Sequence, residues 1–230
     1  MSAIKRVWFD FGGVLSPPID ALFEQYQVKT GLAPAVLQRA IAEVAEALGV
    51  PPLAPIESAL LSEDEWGRRV ELALLRQVPP ADVSRARLRT FGEQWFAGVV
   101  ANAHMVEAAR TLKQAGFAIG ILTNNVVEWE PHWRPIVGLE GVADLIVDSC
   151  REGTRKPEAR LFDIALERAG LPASANLLID DLADNVAAAA ARGWHTVHFR
   201  DNPQALADIA RITGVSALAQ RLPLEQGEPA

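Results

Sequence analysis

Residues 4–13, IKRVWFDFGG, hold a short apolar run that stops at Asp10 and gives way to Gly12-Gly13. A run of that length ending in a glycine pair predicts a buried strand closed by a tight turn. Moving outward, the same pattern returns only beyond residue 100: FAIGILT (117–123), ADLIVDS (143–149), NLLIDD (176–181) and WHTVHF (194–199). Helical patterns at 102–115, 157–169, 183–192 and 203–212 separate these runs. Strands alternating with helices of this size predict βαβ units, hence a parallel α/β sheet covered on both faces. Between residues 17 and 98 no strand is expected. Helical patterns at 19–30, 34–48, 57–77 and 80–96 are broken by Gly31, by Gly49-Val50-Pro51-Pro52 and by Pro79-Pro80. Ser62 and Glu65 form a capping-box pair, so the third helix could begin as late as residue 63. The expected organisation is a core of residues 1–16 and 99–230 carrying a helical insertion, 17–98. The end of the chain after Gly214 is expected to fray.

Composition bounds the function. With 22 Lys+Arg against 29 Asp+Glu in 230 residues the formal charge is −7, which speaks against a general nucleic-acid binder. An anionic substrate is compatible, because a local pocket can oppose the global sign. The single cysteine, Cys150, cannot form an internal disulfide. No apolar run approaches the roughly 18 residues of a membrane span, and the N-terminal run is too short for a signal-peptide core. A cytoplasmic protein, monomer or homodimer, is expected.

Ligands of an open parallel sheet bind at the carboxyl ends of its strands. The residues ending the apolar runs are Asp10, then Thr123-Asn124-Asn125, then Asp180-Asp181; Lys156 lies in GTRKPEAR, just before a helix opened by Pro157. Clustered carboxylates repel unless a cation or proton is present, and an all-oxygen set suits Mg²⁺. A lysine and a hydroxyl supply charge and hydrogen bonds to a phosphoryl group, and Asp10 is available as a carboxylate nucleophile. Each residue alone has a bland reading as turn or cap chemistry. Their joint occurrence at successive strand ends is what points to a site.

The four segments FDFGGVL (9–15), ILTNN (121–125), RKPEARLF (155–162) and LLIDDLADN (177–185) resemble the haloacid dehalogenase (HAD) superfamily of hydrolases, and most of all its sugar-phosphatase branch. The resemblance covers essentially the whole chain. It implies a Rossmann-like core with a helical cap inserted after the first segment. It also implies a Mg²⁺-dependent phosphatase acting on a small phosphorylated metabolite, a sugar phosphate among the candidates. In that reading Asp10 becomes a transient aspartyl-phosphate and, with the Gly12 backbone carbonyl and Asp181, holds Mg²⁺. Asp180 is a further ligand or a support beside it. Thr123 and the Asn124 amide hold the phosphoryl oxygens, Lys156 neutralises charge, and Asp184 and Asn185 support the metal ligands.

One position departs from the pattern. The usual phosphatase carries an acid–base aspartate two residues after the nucleophile, and here that residue is Gly12. Either the substrate has a comparatively good leaving group, such as an anomeric or acyl phosphate, or a residue of the helical cap or a water replaces the acid. Two alternatives stay open: a metal-independent 2-haloacid dehalogenase, and a non-catalytic phosphate-binding or regulatory domain. Among weaker candidates, Trp129, His132 and Trp133 could line a pocket entrance, and Phe23, Tyr26 and Trp66 could touch substrate. His104, His195 and His198 lack partners at metal-ligand spacing and are expected to be structural.

Overall fold

The computed structural model describes residues 4–219. Five strands, β1 (Arg6–Phe9), β2 (Ala118–Thr123), β3 (Leu145–Asp148), β4 (Asn176–Asp180) and β5 (His195–His198), form one parallel sheet in the order β3-β2-β1-β4-β5. The first strand is therefore the central one. The chain builds outward to β3, then crosses back over β1 to lay down β4, so strand order reverses at the β1/β4 boundary. That reversal opens a crevice at the carboxyl end of the sheet. Register places Phe9 beside Ile121 on one side and beside Ile179 on the other.

Side chains alternate across the pleat. Val7, Phe9, Ile121 and Ile179 face one layer, which contains α6 (Ala103–Gln114) and α11 (Asn202–Thr213). Trp8, Leu122 and Leu178 face the other, made by α9 (Ala159–Ala169) and α10 (Ala183–Ala191). Both faces being covered explains why the strands read as unbroken apolar runs.

Between β1 and α6 lie α1 (Ile19–Thr30), α2 (Pro34–Glu46), α3 (Ala54–Glu57), α4 (Glu63–Arg76) and α5 (Phe91–Phe96). The Ser62 side chain accepts from the Glu65 N–H (3.3 Å), and α4 begins at 63 as the capping pair allows. The helical segment shares its interior with the sheet: Tyr26, Leu37 and Trp66 belong to the same contiguous apolar cluster as Val7, Phe9 and Ile121.

Two expectations of local structure are corrected. The segment 80–96 is helical only from Leu88 onward, as a 3₁₀ turn (Leu88–Thr90) running into α5. Its first part is diverted by side chains: Asp82 accepts from Ser84 N–H (2.9 Å), while Gln94 takes Arg87 N–H (2.8 Å) and gives to the Arg85 carbonyl (2.9 Å). Such local bonds compete with helix formation. The segment between β2 and β3, where the sequence patterns place no helix, contains α7 (Glu130–Val137), whose Pro131 sits in the first turn, where a missing N–H costs nothing. A further short helix, α8 (Ser149–Glu152), follows β3. The expected fraying of the tail falls largely outside the described residues. Among those described, no helix is long and apolar enough to cross a membrane.

Gly120 and Trp8 are register partners on neighbouring strands. A Cβ on Gly120 would come within 2.2 Å of the Trp8 ring. That ring cannot retreat, because its Nε1–H donates to the buried Asn176 Oδ1 (2.9 Å). Gly120→Ala is therefore expected to lower unfolding free energy by about 1–3 kcal/mol. Urea unfolding with an unchanged m-value checks it; a loss under about 0.5 kcal/mol would refute this packing argument.

Candidate active site

The crevice at the strand reversal collects the charged strand ends. Asp10 follows β1 directly, and Asp180 closes β4 with Asp181 beside it. One carboxylate oxygen from each of the three can be chosen so that all lie within 4.8 Å of one another. Lys156 arrives from the loop after α8 and is 1% exposed. Its Nζ donates to Asp180 Oδ2 (2.6 Å) and the Leu122 carbonyl (2.8 Å) and forms an ion pair with Asp10 Oδ1 (2.9 Å). The loop is held by a reciprocal pair of bonds with Asn124: Lys156 N–H to Oδ1 (2.8 Å) and Nδ2 to the Lys156 carbonyl (3.0 Å).

The three carboxylates are not equivalent. Asp180 is fully buried; its Oδ1 accepts from Asn185 Nδ2 (2.9 Å) and Leu182 N–H (3.0 Å), so it stands behind the site as a fixed anchor. Asp10 Oδ1 is held by the Phe11 N–H (2.7 Å) as well as by Lys156, leaving Oδ2 without a hydrogen bond among the described residues. Asp181 is only half-buried and lines the cavity with Asp10. Its backbone carbonyl meets His198 Nε2 at 2.9 Å, so that histidine, read as purely structural, touches the edge of the site.

Burial, and then the neighbouring carboxylates, push Asp10 up to about 8, against the pull of Lys156. Burial and the Asp180 charge raise Asp181 to about 6. For Lys156, burial disfavours the ammonium, but the facing Asp10 and Asp180 carboxylates overcome it and hold the group charged. With all three acids ionised the cluster carries −3 + 1 = −2, the charge one divalent cation cancels. An all-oxygen set in which Asp10 and Asp181 both line a cavity fits a hard cation such as Mg²⁺.

The turn after Asp10 explains the glycine pair. Ser16 N–H closes it onto the Phe11 carbonyl (2.8 Å). Gly13 has φ 73°, and a Cβ there would sit 2.2 Å from Asp181 Oδ2, so only glycine lets the two strand ends approach. Gly12 differs: its φ is −65°, and an added Cβ would meet nothing within 4 Å. A Cβ at residue 12 is thus sterically allowed, at a position that lines the cavity.

Other expected site residues divide clearly. Thr123 is buried at the end of β2, its Oγ1 held only by a long contact to the Asn124 carbonyl (3.4 Å). Asn124 and Asn185 line the cavity. Asp184 does not join the cluster: it is exposed on α10 and bonds to none of the site residues, because the helix turns it outward while Asn185 points in. Phe23, Trp66 and Trp129 line the cavity, whereas Tyr26 packs on Phe91 (4.6 Å between ring centroids) and Trp133 on Phe11 (5.2 Å) within the core.

A pair not singled out from sequence closes the wall. Arg155 reaches Glu57 of α3 at 2.6 Å, and Ser149 Oγ donates to the Glu57 carbonyl (2.6 Å). Burial raises the Glu57 carboxyl while Arg155 opposes it. The neighbour of a motif lysine was the available signal for Arg155. Glu57, one helix away in the insertion, had none.

The fold and this constellation define a class, and the comparisons agree. A family profile described as haloacid dehalogenase-like hydrolase matches residues 4–193, and the chain belongs to that family. It is 28% identical over 131 residues to bifunctional epoxide hydrolase 2 of Sus scrofa (51% of this chain, 22% of the relative). It is 31% identical over 110 residues to the pyrimidine 5'-nucleotidase YjjG of Escherichia coli (45% and 49%). The chain thus spans half or less of these relatives. Among solved structures, a HAD family enzyme of Bacteroides thetaiotaomicron in complex with magnesium and inorganic phosphate superposes with TM-score 0.61 at 17% identity (86% and 95% covered). L-2-haloacid dehalogenase of Xanthobacter autotrophicus superposes with TM-score 0.62 at 18% identity (94% and 88% covered). At such identities the likeness is one of fold.

The raised carboxyls make a directional prediction. Their folded-state values lie above the unfolded ones, so the metal-free protein is most stable where both are protonated and loses that contribution as pH rises through about 6 and then about 8. A divalent cation replaces those protons. Its apparent affinity should rise with pH, and its effect on Tm should be larger near about pH 8 than near about pH 5.5. Thermal melts with and without Mg²⁺ at the two pH values test this; an equal or smaller increment at the higher pH contradicts it.

Proposed function

We propose that this hydrolase is a Mg²⁺-dependent phosphomonoesterase that works through an aspartyl-phosphate on Asp10. One observation carries the reading: Asp10 lines the cavity with an Oδ2 that has no hydrogen bond among the described residues, while its other oxygen is fixed by Lys156 and the Phe11 N–H within a cluster whose three carboxylates outnumber the one lysine. Nucleophile, charge and cation ligands are then in one place. Asp10, Asp181 and the Gly12 carbonyl would hold Mg²⁺, with Asp180 behind them. Bound there, Mg²⁺ would offset the negative charge of phosphate and carboxylates as they approach.

In the first half-reaction Asp10 Oδ2 forms a bond to phosphorus as the bond to the leaving alcohol oxygen breaks. In the second, water attacks the same phosphorus, the Asp10–phosphorus bond breaks, and inorganic phosphate leaves with the carboxylate restored. Thr123 Oγ1 and the Asn124 N–H would bind the phosphoryl oxygens. Lys156, buried between Asp10 and Asp180, would act through its charge and by fixing the Asp10 rotamer. The helical segment 17–98 would serve as the cap that excludes water. The names of relatives support the class: YjjG is a nucleotidase, and a 27% identical relative of Aspergillus oryzae is a sesquiterpene phosphatase.

A metal-independent dehalogenase would gain nothing from an acidic cluster that outweighs its lysine. The two readings separate on a chelator: phosphate release should vanish with EDTA, return with Mg²⁺, and be absent in Asp10→Asn. Dechlorination of a 2-haloacid that survives EDTA would instead establish the dehalogenase.

The open space at Gly12 gives a second test. Gly12→Asp should fold normally and raise turnover of alkyl phosphates by about 10²-fold, the ordinary worth of general acid help, with a smaller gain for acyl phosphates. An unchanged alkyl-to-acyl ratio would mean that the proton already has a donor elsewhere.

A further inference from the structure

The phosphoryl chemistry accounts for the floor of the cavity and leaves its upper wall unexplained. Above Asp10, Asn124 and Asp181 the wall is built by Leu22, Phe23, Phe91, Trp95, Trp66 and Trp129. Phe91 stacks on Trp95 (5.1 Å between centroids) and on Trp129 (5.7 Å), which makes a rigid aromatic surface. The charged side chains on this side, Glu57 and Arg155, form an ion pair with each other at 2.6 Å, with Glu57 Oε2 and Arg155 Nε making no hydrogen bond among the described residues. Trp129 Nε1 is taken by Glu63 (2.7 Å), while the buried Trp66 Nε1 has no hydrogen-bond partner among the described residues.

We infer that the group esterified to phosphate is a compact apolar alcohol, an aromatic ring or a short branched hydrocarbon chain, and not a polyhydroxylated sugar. This rests on the phosphomonoesterase reading and departs from the sugar phosphate implied by the family resemblance. Aromatic faces do stack on sugars, but the rim hydroxyls of a sugar would here meet Leu22, Ile41 and Leu53. Each would give up its bonds to water without replacement. Size keeps the group compact: the whole cavity, phosphoryl floor included, holds about 180 Å³, and a benzene ring alone fills an apolar cavity of about 150 Å³.

Esters of primary alcohols keep leaving-group basicity comparable, so the missing acid at Gly12 weighs on all alike. With Mg²⁺ present, kcat/KM for benzyl phosphate or 3-methylbutyl phosphate should exceed that for glucose 6-phosphate and glycerol 3-phosphate by at least about 30-fold. The ratio of the first two separates a ring from a chain. Tryptophan fluorescence should report benzylphosphonate binding at least tenfold tighter than methylphosphonate, roughly what a few buried methylenes confer. Leu53→Gln, a half-buried wall position, should narrow the preference. Equal or better turnover of the sugar ester overturns the inference. So does hydrolysis of acetyl phosphate combined with weak benzylphosphonate binding, and that outcome leaves the phosphatase reading intact. Tight benzylphosphonate binding with no hydrolysis of any ester does the opposite: it overturns the phosphatase reading and supports the apolar recess.

Discussion

A single buried ammonium organises the active edge of this sheet. Lys156 Nζ joins Asp10 after β1, the Leu122 carbonyl within β2 and Asp180 at the end of β4, so three neighbouring strands end on one cation. Burying an ammonium is costly, and the cost is offset only when its hydrogen bonds and counter-charges are complete. Here two hydrogen bonds and a second carboxylate at ion-pair distance surround the ammonium. Two carboxylates are then tolerated close together, and the charge left over faces the cavity through Asp10 and Asp181. Removing the lysine would leave those acids repelling one another across the central strands. The same interaction therefore holds the strand ends and sets the electrostatics of the site.

Much of this was legible beforehand because the relevant signals are local. An apolar run terminated by an acid marks a strand end whatever follows it, and β1, β2 and β4 ended where Asp10, Thr123 and Asp180 predict. Ser62 placed the start of α4 by cap chemistry alone. What failed depends on partners distant in sequence or on competing local bonds. The stretch 80–87 has helical composition, yet Asp82 and Gln94 draw its backbone into turns. Trp129 and Trp133 look alike in sequence; one reaches the cavity and the other is buried against Phe11. Asp184 and Asn185 are adjacent, and helical rotation alone decides that Asn185 supports Asp180 while Asp184 meets solvent. The Glu57–Arg155 pair joins residues 98 positions apart, beyond any windowed pattern.

The glycines show how one residue type answers opposite needs. Gly120 and Gly13 are required by close approach, to the Trp8 ring and to the Asp181 carboxylate respectively. Gly12 is required by neither crowding nor dihedral angle. Its lack of a side chain is a chemical property of the site, and the backbone would accept another residue.

The helices between β1 and α6 share a continuous apolar interior with one face of the sheet, and they are tied to it at the rim. Glu63 of α4 binds both the Gly92 N–H (2.6 Å) and Trp129 Nε1 (2.7 Å), and a Cβ on Gly92 would strike that indole at 2.3 Å. Such a segment is not an interchangeable module. Grafting it onto a related core, or a foreign insertion onto this one, would expose half of a shared hydrophobic layer unless Phe11, Trp129 and Trp133 were redesigned with it. New specificity in this scaffold is accordingly reached by changing side chains within the wall more readily than by exchanging the wall itself.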